Sequence, residues 1–545
     1  MKNLVYYYSI KNISESRSID QALSEFIVFP IFTKIFLNNH TAKFVISAYY
    51  FTMGKKVLLI GSGLGSLATA LRLSYQGYDI DIVEKYHQPG GRLNTFEKDG
   101  FTFDMGPSFF SMSYEFKELF DSIGIKIPFD IEELDPIYSV NFSHRNKPFL
   151  IYKNIEKLAR EFEGLETDFA KKLANYIGSA KEMFHDTEDI VIRRNFKSKL
   201  DYLLQLTRVP LKHSPKMFRS MWQELDKTFT SQEAKVIFSL VAFFLGDTPF
   251  KTPAVYSLLN YTELEHDGYW NVKGGMYKIT DTIVELLKKR NVRFHYNTEI
   301  TEIENSENEI RSFKDNHGNS WVADLYICNS DAAAFRGKIL KREKFTPKKL
   351  DAMKWTLAPF TIYLGIKGKT ESLIHHNYFL GSNFKDYADN IFTASTSPEK
   401  PYYYVNVSSK SNPASAPEGC ENLFILCPVP DLRYKSDWSD SETLADNIIA
   451  DLSARVNMDL KKNTLTRTIL NPIDWEEKFN LYRGSGLGLA HGLSQVGGFR
   501  PSNKDEIFKN LYYVGASTTP GTGLPMVVIS SKLVTERILK EYGTV

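Results

Sequence analysis

Apolar residues along this chain fall into short unbroken runs and into helix-spaced stripes, and the two alternate. Val57-Leu58-Leu59-Ile60 is an apolar strand that runs into a glycine turn, and the small-residue stretch after it, through Ala70, reads as a helix. A second run, residues 79–83, ends on Glu84. Residues 115–123 read as a helix, and residues 137–142 and 149–152 as an antiparallel pair. From 155 to 245 the spacing is mostly helical, with Phe169, Leu173, Tyr176 and Ile177 on one face. Residues 268–276 read as a turn into a helix over 277–289, followed by strands at 292–296 and 299–304. A hairpin pairs 309–313 with 320–323 through Asp315-Asn316-His317-Gly318. Later strands fall at 360–367 and 421–428, with 378–380 and 402–407 as further ones. The Ser-, Pro- and Asn-rich stretch 408–421 reads as a linker. The chain closes with a strand over 510–514, a small-residue turn, and a helix starting near Met526. No internal repeat, heptad run or low-complexity tract interrupts the pattern.

Composition changes this picture only at its edges. A length of 545 residues fits two or three intertwined domains with a large core, and 43% hydrophobic with 24% charged residues is the balance of a soluble globular protein. A net charge of +2 is too mild to argue for nucleic acid. Aromatic residues make up 14%, which suits either a long apolar tunnel or an ordinary core. Cys328, Cys420 and Cys427 show no metal spacing and read as buried strand residues in a reducing compartment. The first 52 residues differ from the rest, with aromatic clusters at 6–8 and 26–32 that are too short to span a bilayer. Met53-Gly54-Lys55-Lys56 is how a protein opening on its first strand begins, so residues 1–52 are expected to be non-native or a poorly ordered arm.

The candidate chemistry starts at the first turn. Gly61 takes the tight bend and Gly63 lets the backbone approach a pyrophosphate seated on the helix N-terminus. Glu84, about 20 residues on, stands where a carboxylate accepts hydrogen bonds from an adenosine ribose. An NAD site would explain this much. The balance shifts with Pro89-Gly90-Gly91-Arg92, the stretch Gly100-Phe101-Thr102-Phe103-Asp104-Met105-Gly106-Pro107, and a distant closure from Asn510 through Val514-Gly515-Ala516 to Gly523-Leu524-Pro525.

At these residues the sequence resembles the flavin-dependent desaturases of carotenoid biosynthesis, the bacterial-type phytoene desaturase family, within the amine-oxidase-like flavoprotein superfamily. The resemblance runs from about Lys55 to the C-terminus. It implies an α/β fold: a discontinuous Rossmann-type FAD-binding domain (53–130, 268–345 and 485–545), a β-sheet substrate domain (131–152 and 346–484), and a helical lid (153–267) able to bind a membrane. It implies that FAD is held by Gly61, Ser62, Gly63, Leu64, Gly65, Ser66, Glu84 and Lys85, then by Gly90, Gly91 and Arg92. Met105, Gly106, Pro107, Ser108 and Ile300 follow, and Gly515, Ala516, Gly523, Leu524 and Pro525 complete the set. The chain departs from the family pattern at Ser66, the third fingerprint glycine, at Val272, and at Ser517, Thr519 and Met526.

Desaturation takes a hydride from one carbon and a proton from its neighbour, and flavin N5 suits the hydride. No Ser-His-Asp order, zinc spacing or P-loop competes with that reading. Asp104 is the weak candidate for a base. Glu263 and Glu265 are other acids near the motifs, and each of the three has a plainer structural reading. Residues 193–219 carry eight basic residues and one acid, Asp201, interleaved with apolar side chains such as Leu200, Leu203, Leu204, Leu211 and Phe218. Such a surface suits peripheral binding to anionic lipid, or is a solvated face over an ordinary core. The expected partners are a long polyene substrate, oxygen or a quinone as electron acceptor, and a membrane surface reached from the cytoplasm. Related readings are a carotenoid 3,4-desaturase, a retinol saturase-like enzyme, an amine or porphyrinogen oxidase, and a non-enzymatic prenyl-binding escort protein.

Overall fold

The computed structural model describes residues 54–544. The expectations for Met53 and the preceding segment lie outside these residues. A five-stranded parallel sheet forms the first layer, in the order Arg293–His295, Asp79–Val83, Lys56–Ile60, Leu325–Cys328, Leu511–Tyr513. Its inner runs, Val57 to Ile60, Leu325 to Cys328 and Leu511 to Tyr513, are apolar because both faces are covered, while Asp81 near the edge pairs with Arg293. Alternate side chains go to opposite cores. Val57, Leu59, Ile80, Ile82, Leu325 and Ile327 pack on the helices Leu64–Ser74, Lys278–Lys289 and Leu524–Tyr542. Leu58, Ile60, Val83, Tyr326 and Cys328 face the antiparallel strands Ile300–Asn305, Ile310–Asp315 and Ser320–Trp321. The hairpin turn there closes on Asp315, whose carboxylate accepts from the amides of His317 and Asn319 and from Trp321 Nε1.

A seven-stranded sheet stands beside it, in the order Thr464–Leu470, Ala358–Lys367, Cys420–Val429, Tyr403–Asn406, His376–Leu380, Tyr138–Phe142, Phe149–Ile151. One pairing, His376–Leu380 with Tyr138–Phe142, is parallel. The strand period sorts this sheet into a core and a wall. Phe360, Ile362, Leu364, Leu423, Ile425 and Cys427 pack under the helix Ser441–Val456. Thr361, Tyr378, Tyr404, Phe424 and Leu426, on the other face, line a cavity. Helices from Ile155 to Tyr261 form a third layer around Phe162, Phe169, Phe229 and Phe238, with Phe162 stacked on Phe169, Phe229 stacked on Phe238, and Phe169 tilted against Phe229.

Two segments differ from expectation. Tyr269–Val272 is a strand rather than a turn, held between Phe110–Ser111 and Ile131–Glu133. Residues 408–421 are a packed loop rather than a linker. Asn412 accepts from Gly274 N at 2.9 Å and donates to Asn271 Oδ1 at 2.9 Å, while Asn422 Oδ1 accepts from Ser409 N. The three cysteines are buried thiols in strands, and burial pushes those of Cys328 and Cys427 up to about 12.

Candidate functional site: a glycine-lined cradle opening into an aromatic cavity

A cavity of about 750 Å³ runs from the C-terminal edge of the parallel sheet along the face of the seven-stranded one. Its first end is built by backbone. The helix Leu64–Ser74 begins at Gly63 with no side-chain cap, and Leu524–Tyr542 begins the same way at Gly523, so the unpaired first-turn amides of both helices are left for a ligand. Two glycine loops lie one on the other here. Gly90 N donates to Ser62 O at 2.9 Å, and a Cβ on Gly91 would sit 3.2 Å from Gly63 Cα. Any side chain at these positions would fill the cradle.

Glu84 stands beside it with its carboxylate already aimed. Oε2 accepts from Ser62 N and Ser62 Oγ at 2.7 Å each, and Oε1 accepts from Tyr86 N at 2.9 Å. Lys85 lines the same end and donates to Glu477 O and Asn480 Oδ1. Arg92 is held by Gly486 O at 2.8 Å, and burial pulls its guanidinium below the usual range against the attraction of Asp331. Asp331 accepts from Ala333 N and Ser517 Oγ, and burial raises its carboxyl.

Of the residues expected at the cofactor, Gly61, Gly63, Leu64, Gly65, Glu84, Lys85, Gly90, Gly91 and Arg92 line this cavity. So do Met105, Gly106, Pro107, Ser108, Ile300, Ala516, Gly523, Leu524 and Pro525. Four other candidates are placed behind the wall. Ser62 braces Glu84. Ser66 is buried in the helix packing with its hydroxyl unpaired. Gly515 backs onto Asn329, whose Oδ1 would lie 2.2 Å from a Cβ there. Asp104, the candidate base, faces away from the cavity: its oxygens accept from Met276 N at 2.9 Å and Tyr277 N at 3.2 Å, holding the turn that enters the helix Lys278–Lys289. Burial raises its carboxyl, and those two amides pull the other way. Its task is to close that turn.

Asn329, His491, Tyr404 and His376 were not picked out from sequence, whereas Arg500 lies in the stretch Phe499 to Asn503, which resembles the family's motifs. Asn329 follows the strand Leu325–Cys328 and wedges between Gly63, Gly65 and Gly515. The signal for it was position, since ligands of such sheets gather where strands end. His491 Nε2 accepts from Thr522 N at 3.1 Å, and burial drives the ring down to about 3. Arg500 is 3% exposed and donates to five carbonyls, those of Leu489, Ala490, Gln495, Ala516 and Thr518. Burial pulls it to about 10. At the other end Ser108 Oγ meets Tyr404 OH at 2.9 Å, and Tyr404 OH meets His376 Nδ1 at 2.6 Å.

A match to the family of flavin-containing amine oxidoreductases covers residues 67–539. The chain belongs to that family. It is 34% identical to the zeta-carotene-forming phytoene desaturase of Myxococcus xanthus over 90% of this chain and 94% of that protein. It is 30% identical to the phytoene desaturase of Fusarium fujikuroi, over 90% of each. An oxidoreductase from Methanosarcina mazei shares the fold, with a TM-score of 0.59 at 17% identity, covering 88% of this chain and all of that one. This chain is thus an FAD-dependent oxidoreductase of the carotenoid desaturase group. The uncapped helix ends and the stacked glycines fit the pyrophosphate of FAD, and Glu84 fits its ribose. When bound, FAD supplies the hydride acceptor. The protein's part is to hold it, to present an apolar chain to it, and to exclude water.

Proposed function

We propose that this enzyme desaturates phytoene or a closely related polyene, taken from a lipid surface. The observation that carries the reading is the continuity of the cavity. From the glycine cradle it passes Phe424, Leu426 and Tyr378 on the sheet, then Phe184, Val191 and Ile192 in the helical layer. An extended hydrocarbon can lie along such a wall, and few polar groups compete for it. The lining residues Val191 and Ile192 run directly into the basic segment at Arg193. Leu211 is 86% exposed and Phe218 87%, with Leu200, Leu203 and Leu204 exposed nearby. Arg193, Lys212 and Arg219 are paired with acids, whereas the described ion pairs do not include Lys197, Lys199 or Arg208. No helix among the described residues is long and apolar enough to cross a membrane. Exposed Leu and Phe beside unpaired cations support a peripheral contact with anionic lipid. Oxygen or a quinone would reoxidise the cofactor.

Expression in cells that accumulate phytoene, followed by pigment chromatography, tests the reading. Coloured desaturation products are expected. Unchanged phytoene would overturn it in favour of a substrate that is already conjugated, as a 3,4-desaturase takes.

A further inference from the structure

Desaturation releases a proton into a cavity walled mostly by hydrocarbon, and that proton needs an acceptor. One carboxylate is placed to take it from just behind the wall. Glu263 lies in the π-helical turn Thr262–His266, a backbone irregularity that gathers at functional sites. It is 2% exposed, and its surroundings are neutral donors with no cation among them. Asn260 Nδ2 donates to Glu263 Oε2 at 3.3 Å and is itself anchored by the Tyr176 hydroxyl at 2.9 Å. Tyr138 and Tyr269 stand near enough to act on the carboxylate as donors that draw it down against burial. Tyr269 faces both ways: it acts on Glu263 as a donor, and its ring lines the cavity 4.9 Å from that of Phe109. Phe109 directly follows the cofactor loop Met105 to Ser108.

We propose that Glu263 accepts the proton lost by the substrate and that Tyr269 relays it, an assignment that rests on the desaturase reading above. FAD, when bound, would accept the hydride that leaves one carbon with its electron pair. The C–H bond on the neighbouring carbon then breaks, its electron pair becomes the new C=C bond, and the proton passes to the Tyr269 oxygen. Tyr269 in the same movement gives its own hydroxyl proton to the Glu263 carboxylate. The relay ends with Tyr269 unchanged and Glu263 neutral.

Other buried acids nearby are already committed. Asp104 is held by two backbone amides, Glu115 is paired with Arg193, and Asp331 faces Arg92. Burial raises the Glu263 carboxyl to about 7, so it is partly ionised at neutral pH. Burial moves the groups around it away from that range. Tyr138, Tyr176, Tyr269 and Tyr378 are pushed up by burial and stay neutral. His375 and His376, beyond Phe109, and His266, in the same turn, are pushed down. Glu265 points outward to Lys181.

The test uses FAD-loaded protein and liposome-held phytoene, with Glu263→Gln, Glu263→Asp and Tyr269→Phe. Loss of a positioned base predicts a fall in kcat of about 100-fold for Glu263→Gln and for Tyr269→Phe. KM should hold within about 2-fold. Wild-type kcat should rise as pH increases through about 7. Glu263→Gln should abolish that limb, and Glu263→Asp should restore part of it. Infrared titration should show a protonated-carboxyl band lost over the same interval in the wild type and absent from Glu263→Gln. Wild-type kcat and an intact pH limb in Glu263→Gln would overturn the proposal, as would a change in KM alone. Tyr269→Phe carries the same test if Glu263→Gln loads no FAD. A wild type that leaves the polyene untouched would instead overturn the desaturase reading, and the infrared titration separates the two failures.

Discussion

The two ends of the cavity are built by opposite means. At the cradle the backbone does the binding: glycines clear the space, helix ends supply amides, and one carboxylate, Glu84, is pre-aimed by Ser62. At the aromatic end the wall consists of side chains from strands and helices far apart in sequence, such as Phe109, Tyr269, Tyr378 and Tyr404. Binding by backbone tolerates no added atom. Binding by a broad apolar wall spreads its energy over many contacts and tolerates single changes.

Adding side-chain atoms to the cradle should break the site most severely. Gly515 has φ of 101°, and a Cβ there meets Asn329 Oδ1 at 2.2 Å. Gly515→Val adds strain of about 1–3 kcal/mol from the backbone alone. With the displacement of Asn329 against Gly63 and Gly65, purified protein should lose nearly all its flavin absorbance. Retained yellow colour would show the cradle to be softer than this comparison holds.

His491 lies at the seam between the ends, beside Thr522, and supplies a pH test of intermediate size. Its folded value of about 3 lies below the ordinary 6.5, so the fold favours the neutral ring. The unfolded chain takes up the proton first as pH falls. Stability is therefore full above about 6.5 and is lost toward 3, at about 1.4 kcal/mol per pH unit. Melting temperatures measured from neutral to mildly acidic pH should fall more steeply for the wild type than for His491→Gln. Parallel slopes would remove His491 from the account.

The smallest effect is expected outside the cavity. Leu211→Asp with Phe218→Asp should weaken flotation with anionic liposomes by about 10-fold while FAD content stays the same, since each side chain is worth about 1.5–3 kcal/mol only when fully buried. Undiminished flotation, or no flotation of the wild type, would overturn the proposed lipid contact at this surface.

The cradle was legible because its parts are contiguous. Gly61, Gly63, Glu84, Gly90 and Gly91 sit within one strand-turn-helix-strand unit and the loop after it. The aromatic end was not legible, because Tyr404 meets Ser108 and Tyr269 meets Phe109 only after the chain has folded back across more than a hundred residues. The strand Tyr269–Val272 was read as a turn for a related reason. It is flanked by Gly268 and Gly274, and its partners are segments of two and three residues with no pattern of their own. The loop 408–421 has the composition of a linker, yet its Ser and Asn side chains serve as internal hydrogen-bonding groups. Composition records which groups can hydrogen-bond but carries no information about their partners.

The sequence by itself determined the dinucleotide cradle, the parallel-sheet class and the family resemblance, because local periodicity and glycine spacing act over a few residues. Only the tertiary structure decided that Asp104 closes a turn, that Asn329 and Arg500 brace the cradle from behind, and that Glu263 stands behind Tyr269. Which way a carboxylate points, and whether an amide, a cation or a tyrosine meets it, depends on packing between segments that share no local pattern.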